Sequence, residues 1–170
     1  MRHPYRTRPH NLWSHPVSLK GCHHHGFTVS DIDNSLRFYR DLLGLELVRI
    51  SERRELPSYD QILGYEDVAL TVALLRHPVN EFLLELFVYH NPKGRTRALD
   101  NTFVGAAHVA FEVEAIDALY RRLIDAGFAA INPPVDVERN GAVVARAMYA
   151  LDPDGISVEL FEEFGDLVSS

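Results

Sequence analysis

The sequence contains one short pattern twice, and this repetition constrains the fold more than any other feature. Aligning His24 with His108 also aligns Phe27 with Phe111 and Val29 with Val113. A second alignment places Leu84-Glu85-Leu86-Phe87 over Val158-Glu159-Leu160-Phe161. Because polar and apolar positions agree in both alignments, we interpret the chain as two copies of one structural unit rather than a chance match of apolar strings.

Each copy opens with a strand that has two different faces. In the second copy, an apolar series alternates with a series of histidine and small residues. The apolar series is Val109, Phe111 and Val113, and the other series is His108 and Ala110. This period of two is typical of a half-buried strand. In the first copy, His24 and Gly26 lie in the same way opposite Phe27. We expect the small neighbours to leave space in front of each imidazole ring.

A helix and three further strands follow in each copy, so the repeated unit is βαβββ. Ser30 or Asp31 is expected to cap the first helix, which Gly44 ends. The predicted later strands are Leu45–Ser51, Asp67–Arg76 and Phe82–Val88 in the first copy, and Phe128–Ile131, Val143–Leu151 and Ile156–Phe161 in the second. Glu52–Glu66 is predicted to be a long loop, and His90–Phe103 the linker between the copies.

These elements predict an α+β fold in one domain, residues 21–170, made of modules 21–90 and 104–164. Residues 1–20 are polar, contain three prolines and lack the apolar segment of a signal peptide. We expect them to form an N-terminal arm outside the core, either disordered or docked on a neighbouring subunit.

Composition narrows the possible partners. A hydrophobic content of 46% and a charged content of 24% are usual for a globular protein. The net charge of −7 argues against nucleic acid, and no apolar run approaches the ~18 residues of a membrane span. The single cysteine, Cys22, excludes an internal disulfide, so we expect a cytoplasmic protein.

Four polar residues are expected to converge on the side of the sheets away from the helices. Helices must cover one face of each sheet, and the faces that carry Phe27 and Phe111 suit this role. Strand parity then places two histidines and two glutamates on the opposite, concave faces. A carboxylate among the apolar residues of a strand is costly unless it is paired or binds a metal. We therefore predict one divalent cation shared by His24, Glu85, His108 and Glu159.

Two imidazoles and two carboxylates suit Zn, Ni, Co, Fe(II) or Mn, and this ligand set does not select among them. Two coordination positions left open for water or substrate indicate a catalytic site rather than a structural one. The simpler interpretation is that the histidines are core residues and the glutamates face solvent, but it must hold at all four positions. No organic cofactor is predicted, since the chain lacks a Gly-rich phosphate loop.

The residues around these positions resemble the vicinal oxygen chelate superfamily, which includes glyoxalase I, methylmalonyl-CoA epimerase, extradiol dioxygenases, and fosfomycin and bleomycin resistance proteins. The resemblance runs roughly from Cys22 to Glu163 and rests on residues 24–31, 38–45, 105–113 and 152–161. It implies paired βαβββ modules, each an incomplete barrel around a metal-binding cleft. It carries the metal ligands over to His24, Glu85, His108 and Glu159. It also implies a homodimer, and leaves open whether one chain or two supply the four ligands.

The resemblance also implies a reaction class. Glyoxalase I is similar in having a glutamate at the second ligand position, whereas extradiol dioxygenases have no ligand at the place of Glu85. The implied function is therefore a metal-dependent lyase or isomerase that chelates vicinal oxygens of a small substrate and transfers a proton through an enolate, with Glu85 or Glu159 as the base. The alternatives are an Fe(II) ring-cleaving dioxygenase and a metal-free protein that binds a small molecule such as a drug.

The substrate pocket is less determined by the sequence. Arg53, Arg54 and Tyr59 in the long loop are candidates for covering the cleft and holding an anionic tail, although a solvated loop explains them as well. Arg146 and Met148 alternate along a strand that is a candidate to line the cleft, but strand parity does not fix their face. The epimerases often have a second histidine where this chain has Ala107, so no substrate is carried over.

Overall fold

The computed structural model describes residues 20–164. The expected N-terminal arm, apart from Lys20, lies outside the described residues. Within residues 20–164, no helix combines the length and the apolar character that crossing a membrane requires.

The first module is a four-stranded sheet with two short helices. Its elements are β1 (His25–Thr28), helix α1 (Ile32–Leu36) continued by a π-helical segment (Arg37–Leu42), β2 (Glu46–Arg53), helix α2 (Pro57–Leu63), β3 (Ala69–Arg76) and β4 (Leu83–Asn91). The strand order is β1-β4-β3-β2, in which β1 is parallel to β4 and the other pairs are antiparallel. The Asp31 side chain accepts the backbone N–H of Asn34 and caps α1, as the sequence predicts.

The second module repeats this arrangement. Its elements are β5 (Val109–Glu112), helix α3 (Ile116–Asp125), β6 (Ala129–Ala130), β7 (Val135–Arg139), β8 (Ala142–Leu151) and β9 (Ser157–Glu163). β5 runs parallel to β9, and β8 pairs with β9 on one side and with both β6 and β7 on the other. The two βαβββ modules confirm the predicted α+β fold.

The second module contains one more strand than the sequence predicts, because its second strand is divided into two. β6 and β7 pair with successive parts of β8 and together occupy the place of β2. Pro133 and Pro134 lie between them and have no N–H group to donate to the ladder. β7 then turns directly into β8 through Asn140 and Gly141, both with positive φ.

The predicted loop Glu52–Glu66 is wrong in part, because it contains α2. Pro57 stands in the first turn of this helix, and Gly64 ends it in the left-handed conformation at φ 71°. The segment that contains α2 connects β2 to β3 at the position where the second module has only a two-residue turn, between β7 and β8. The length difference between the modules therefore lies where it was predicted. The first closing strand is also longer than predicted, since β4 continues to Asn91.

The strand registers establish that the two copies are structurally equivalent. Gly26 lies opposite Glu85 between β1 and β4. Ala110 lies opposite Glu159 between β5 and β9. The alignment of the two histidines and the alignment of the two glutamates have different offsets in the sequence. In each sheet, however, the histidine strand pairs with the glutamate strand in the same register.

The modules pack against each other through the faces that carry their helices. Phe38 lies edge-on to Phe128 with ring centroids 5.2 Å apart, and Phe82 lies edge-on to Phe111 at 5.5 Å. The Arg122 guanidinium of α3 donates to the carbonyl of Leu42 at 2.6 Å. Buried residues of both modules form one hydrophobic cluster. We call the opposite side of each sheet its open face; it carries His24 and Glu85 in the first module and His108 and Glu159 in the second.

A buried acid links the modules at the edge of this cluster. The Oδ1 atom of Asp152 accepts the N–H groups of Asp154 and Ile156, and its Oδ2 atom accepts the hydroxyl of Tyr39 at 3.1 Å. Burial raises the pKa of Asp152 to about 6, although these hydrogen bonds act in the opposite direction. The folded chain therefore binds this proton more tightly than the unfolded chain does. The stability that the proton contributes is present below the unfolded pKa and is lost as the pH rises through about 6.

The Asp152→Asn substitution tests this link, because the amide keeps the shape and the Oδ1 acceptor but cannot ionise. Between pH 4 and pH 7 the free energy of unfolding of the wild type should fall relative to that of the variant by about 2–3 kcal/mol. The measurement is urea unfolding over this pH range, with the exposed Asp125→Asn variant as control. Parallel pH profiles for wild type and Asp152→Asn would contradict the assignment.

Candidate metal-binding site

In the first module, a histidine and a glutamate from neighbouring parallel strands face each other. His24 immediately precedes β1, and its Nε2 atom lies 3.5 Å from Oε2 of Glu85 on β4. The side chains are 39% and 18% exposed, respectively. A partly buried carboxylate beside an accessible imidazole nitrogen is a pair of donor atoms that a divalent cation can use.

The second module places the same pair in the same way. His108 immediately precedes β5, and its Nε2 atom lies 3.2 Å from Oε2 of Glu159 on β9. Their exposed fractions, 45% and 23%, are close to those of the first pair. The equivalence follows from the register, because each glutamate lies opposite the residue two positions after its histidine.

The two pairs do not meet within one chain. Among residues 20–164, no three His, Cys, Asp or Glu side chains are close enough together to hold a metal ion. The physical reason is the packing of the modules through their helix-bearing faces, which turns both open faces outward. The structure thus brings His24 to Glu85 and His108 to Glu159 as two half-sites. A shared site for all four residues stays a prediction, and it requires a second chain.

The surroundings of the first half-site are crowded on one side. A Cβ atom on Gly26 would lie 3.0 Å from the ring of Phe87, so only glycine fits there without displacing that ring. The expected space beside the small residue is therefore filled by Phe87 in this module. Next to Phe87, Val68, Leu70 and Val72 form a second small hydrophobic cluster that Tyr59 of α2 covers.

The long-loop candidates have separate roles in the structure. Arg53 donates from Nε to the hydroxyl of Tyr59 at 2.9 Å, and its guanidinium lies over the same ring. Arg54 pairs instead with Glu52. Arg53 and Tyr59 thus belong to the covered end of the first open face, whereas Arg54 makes only an exposed ion pair.

The second half-site has an aromatic residue that the sequence analysis missed. Tyr149 of β8 pairs with Glu159 in register, and its ring lies perpendicular to that of His108 with centroids 5.4 Å apart. Burial, together with the charge of Glu159 and a hydrogen bond to it, raises the pKa of the Tyr149 hydroxyl. The equivalent position in the first module is Leu74, which pairs with Glu85. The two half-sites therefore differ in one hydroxyl group.

The predicted pocket residues Arg146 and Met148 lie on the other face of β8. Met148 is buried in the core, and Arg146 pairs with Asp117 of α3 and with Asp136. Strand parity contains the signal that was missed: once Met148 is assigned to the core, its neighbour Tyr149 must point to the open face.

His24 has a second imidazole beside it. Its Nδ1 atom lies 2.8 Å from Nδ1 of His23, so one of these nitrogens donates to the other. The contact involves the ring nitrogen that faces away from Glu85 and leaves the Nε2 atom of His24 on the side of that carboxylate. His25 points to the helix side and packs on Phe27 at 4.6 Å, as strand parity predicts.

Comparison with known proteins agrees with this architecture. The sequence model of the Glyoxalase/Bleomycin resistance protein/Dioxygenase superfamily matches residues 21–160. The chain is 30% identical over 134 residues to the lactoylglutathione lyase of Haemophilus influenzae, covering 79% of this chain and 86% of that protein. It is 29% identical over 144 residues to a 2-epi-5-epi-valiolone epimerase of Actinomyces sp., covering 81% and 76%. A glyoxalase family protein from Bacillus cereus superposes with a TM-score of 0.78 at 23% identity, covering 87% and 97%.

The contact between Tyr149 and Glu159 can be tested by titrating the phenol groups of chelator-treated protein in the ultraviolet. Glu159→Gln should lower the pKa of Tyr149 toward its usual value, because the neighbouring negative charge is lost. Glu85→Gln is the matched control and should leave this transition in place, since Leu74 occupies the equivalent position. The Tyr149→Phe variant identifies the transition by its absence. Equal effects of the two glutamine variants would contradict the contact.

Proposed function

Because the chain belongs to the Glyoxalase/Bleomycin resistance protein/Dioxygenase superfamily, whose model matches residues 21–160, we propose that it is a divalent-metal-dependent enzyme that moves a proton within a small substrate. The observation that carries this proposal is the pair of equivalent half-sites. Each contributes one accessible imidazole nitrogen and one partly buried carboxylate, and two half-sites together form the four-ligand set.

We propose that the complete site forms between two chains. The first open face of one chain covers the second open face of its partner, so that His24 and Glu85 of one chain join His108 and Glu159 of the other. This arrangement is supported by the outward direction of both open faces and by the absence of a three-ligand group among residues 20–164. A two-fold dimer then contains two equal sites.

The ligand set determines which chemistry is favoured. A divalent cation held by these residues would act as a Lewis acid for oxygens on two adjacent carbons of a substrate and would lower the cost of charge that develops on them. The hydroxyl-bearing carbon next to a carbonyl would then give its proton to a nearby carboxylate. Return of the proton to the same carbon is an epimerisation, and return to the neighbouring carbon is an isomerisation.

Glu85 and Glu159 are the candidate bases. Both lie on central strands among apolar neighbours and are mostly shielded from water, which favours proton exchange with a bound substrate over exchange with solvent. Glu159 differs in having the Tyr149 hydroxyl beside it, which can hold the carboxylate or the substrate oxygen in place. The relatives named as a lyase and an epimerase are in keeping with a proton-transfer reaction.

The presence of Glu85 beside His24 favours this reaction over the alternatives. An extradiol dioxygenase of the superfamily that this chain resembles would need no carboxylate at this position. A metal-free binding protein would need neither half-site.

Deuterium exchange tests the reaction class. The metal-loaded protein is incubated in D₂O with a panel of 2-oxo and 2-hydroxy thioesters, and exchange at the carbon next to the carbonyl is followed by NMR. Substituting the base, Glu85→Gln or Glu159→Gln, should slow this exchange about a hundredfold or more while part of the metal is retained. The exposed Glu81→Gln variant is the control. Oxygen uptake with catechols, without deuterium exchange, would contradict the proposal.

Mixed dimers test whether two chains share the site. One chain carries His24→Ala with Glu85→Gln, and the other carries His108→Ala with Glu159→Gln. Each variant alone should bind metal weakly, because all its sites lack one half. Co-expressed with different affinity tags, the heterodimer should recover one tightly bound cation per two chains, measured by elemental analysis. Metal content no higher than in the separate variants would contradict a shared site.

A further inference from the structure

A large open cavity is lined by residues of both modules and of the segment that links them. Its volume is about 860 Å³, which is within the range of small-molecule sites. Residues of the segment 93–99, which links the modules, and of the connection from β1 to α1 both line it. Asp154 and Ile156, from the turn that precedes β9, line it as well. None of the four predicted metal ligands lines it.

The linking segment brings three cationic side chains to this cavity. Lys93, Arg95 and Arg97 alternate along it, and all three line the cavity. Among residues 20–164, none of them makes an ion pair, whereas Arg40, Arg54, Arg76 and Arg146 all do. Three unpaired cations in one short segment attract an anion, because each already lies at the surface and loses little hydration on binding one.

The carboxylates that line the cavity already have hydrogen-bond donors. Asp31 accepts the N–H of Asn34 as the cap of α1. Asp154 accepts the N–H of Ser30 at 2.8 Å, which also joins the two modules at this point. Both acids are thus engaged by backbone N–H groups, and neither forms an ion pair with Lys93, Arg95 or Arg97 among residues 20–164. A bound anion is expected next to the linking segment and away from Asp31 and Asp154.

The rest of the lining mixes polar side chains with an apolar group, Val29, Ile32, Val88, Leu99 and Ile156. Val88 belongs to β4, Ile156 immediately precedes β9, and Ile32 begins α1, so three elements contribute apolar side chains to the cavity. A ligand that has only a charged group would leave these side chains in contact with water. An apolar portion attached to the anionic group would cover them and gain about 25 cal/mol for each Å² buried.

We propose that this cavity binds a small molecule that joins a phosphate or carboxylate group to an apolar body, with Lys93, Arg95 and Arg97 around the anionic group. This site goes beyond the proposed function and does not depend on it, since no predicted metal ligand takes part.

Calorimetric titration of the metal-free full-length chain tests the site. The probes are phenyl phosphate, benzoate and inorganic phosphate; the first two distinguish the preferred anionic group. Phenyl phosphate or benzoate should bind saturably and about tenfold more tightly than inorganic phosphate, because of the apolar wall. The Arg95→Gln/Arg97→Gln variant should bind about tenfold more weakly, as expected for the loss of two exposed ion pairs. The matched control is Arg49→Gln/Arg121→Gln, which removes the same charge outside the cavity and should change the affinity less than about twofold.

NMR of the wild type gives a second measurement that needs no variant. Added phenyl phosphate should shift the amide signals of residues 88–99 and leave those next to His24 and His108 in place. Three results would overturn the proposal: no saturable binding of phenyl phosphate or benzoate, an equal loss of affinity in the control variant, or signal shifts spread evenly over the chain.

Discussion

The packing of the two modules through their helix-bearing faces is the constraint on which the rest of the structure depends. The aromatic contacts of Phe38 with Phe128 and of Phe82 with Phe111 join two half-buried sheets into one core. Burying these faces removes the apolar surfaces of both modules from water, which stabilises this arrangement. The same packing turns the open faces outward. Each chain consequently presents two separate His–Glu pairs, and in the proposed site a partner chain supplies the second pair.

Duplication gives the half-sites the same backbone but different neighbours. The strand registers place each His–Glu pair identically, so the donor atoms are equivalent. Around them, Phe87 closes the space beside Gly26 in one module, and Tyr149 adds a hydroxyl in the other. A site built from two unequal halves can treat the two sides of a substrate carbon differently. This asymmetry is a basis on which the two candidate bases, Glu85 and Glu159, could act differently.

The fold follows from the sequence to a large extent, because the repeat, the strand alternation and the Asp31 cap are local patterns with a direct physical meaning. The pairing of each histidine with its glutamate follows from parity once the strands are known. The helix α2 was missed because its seven residues carry no apolar period that distinguishes them from a loop. The division of one strand by Pro133 and Pro134 and the direction of Tyr149 depend on pairing with β8, which is not a local property.

The relative orientation of the modules is beyond any local pattern, and it decides whether four ligands meet in one chain or in two. X-ray absorption spectroscopy of the metal-loaded protein, combined with its metal content, measures the outcome directly. A shared site predicts one cation per chain with two imidazole ligands, at about 2.0–2.1 Å for zinc. Two cations per chain, each with a single imidazole, would show that each His–Glu pair binds alone and would contradict the shared site.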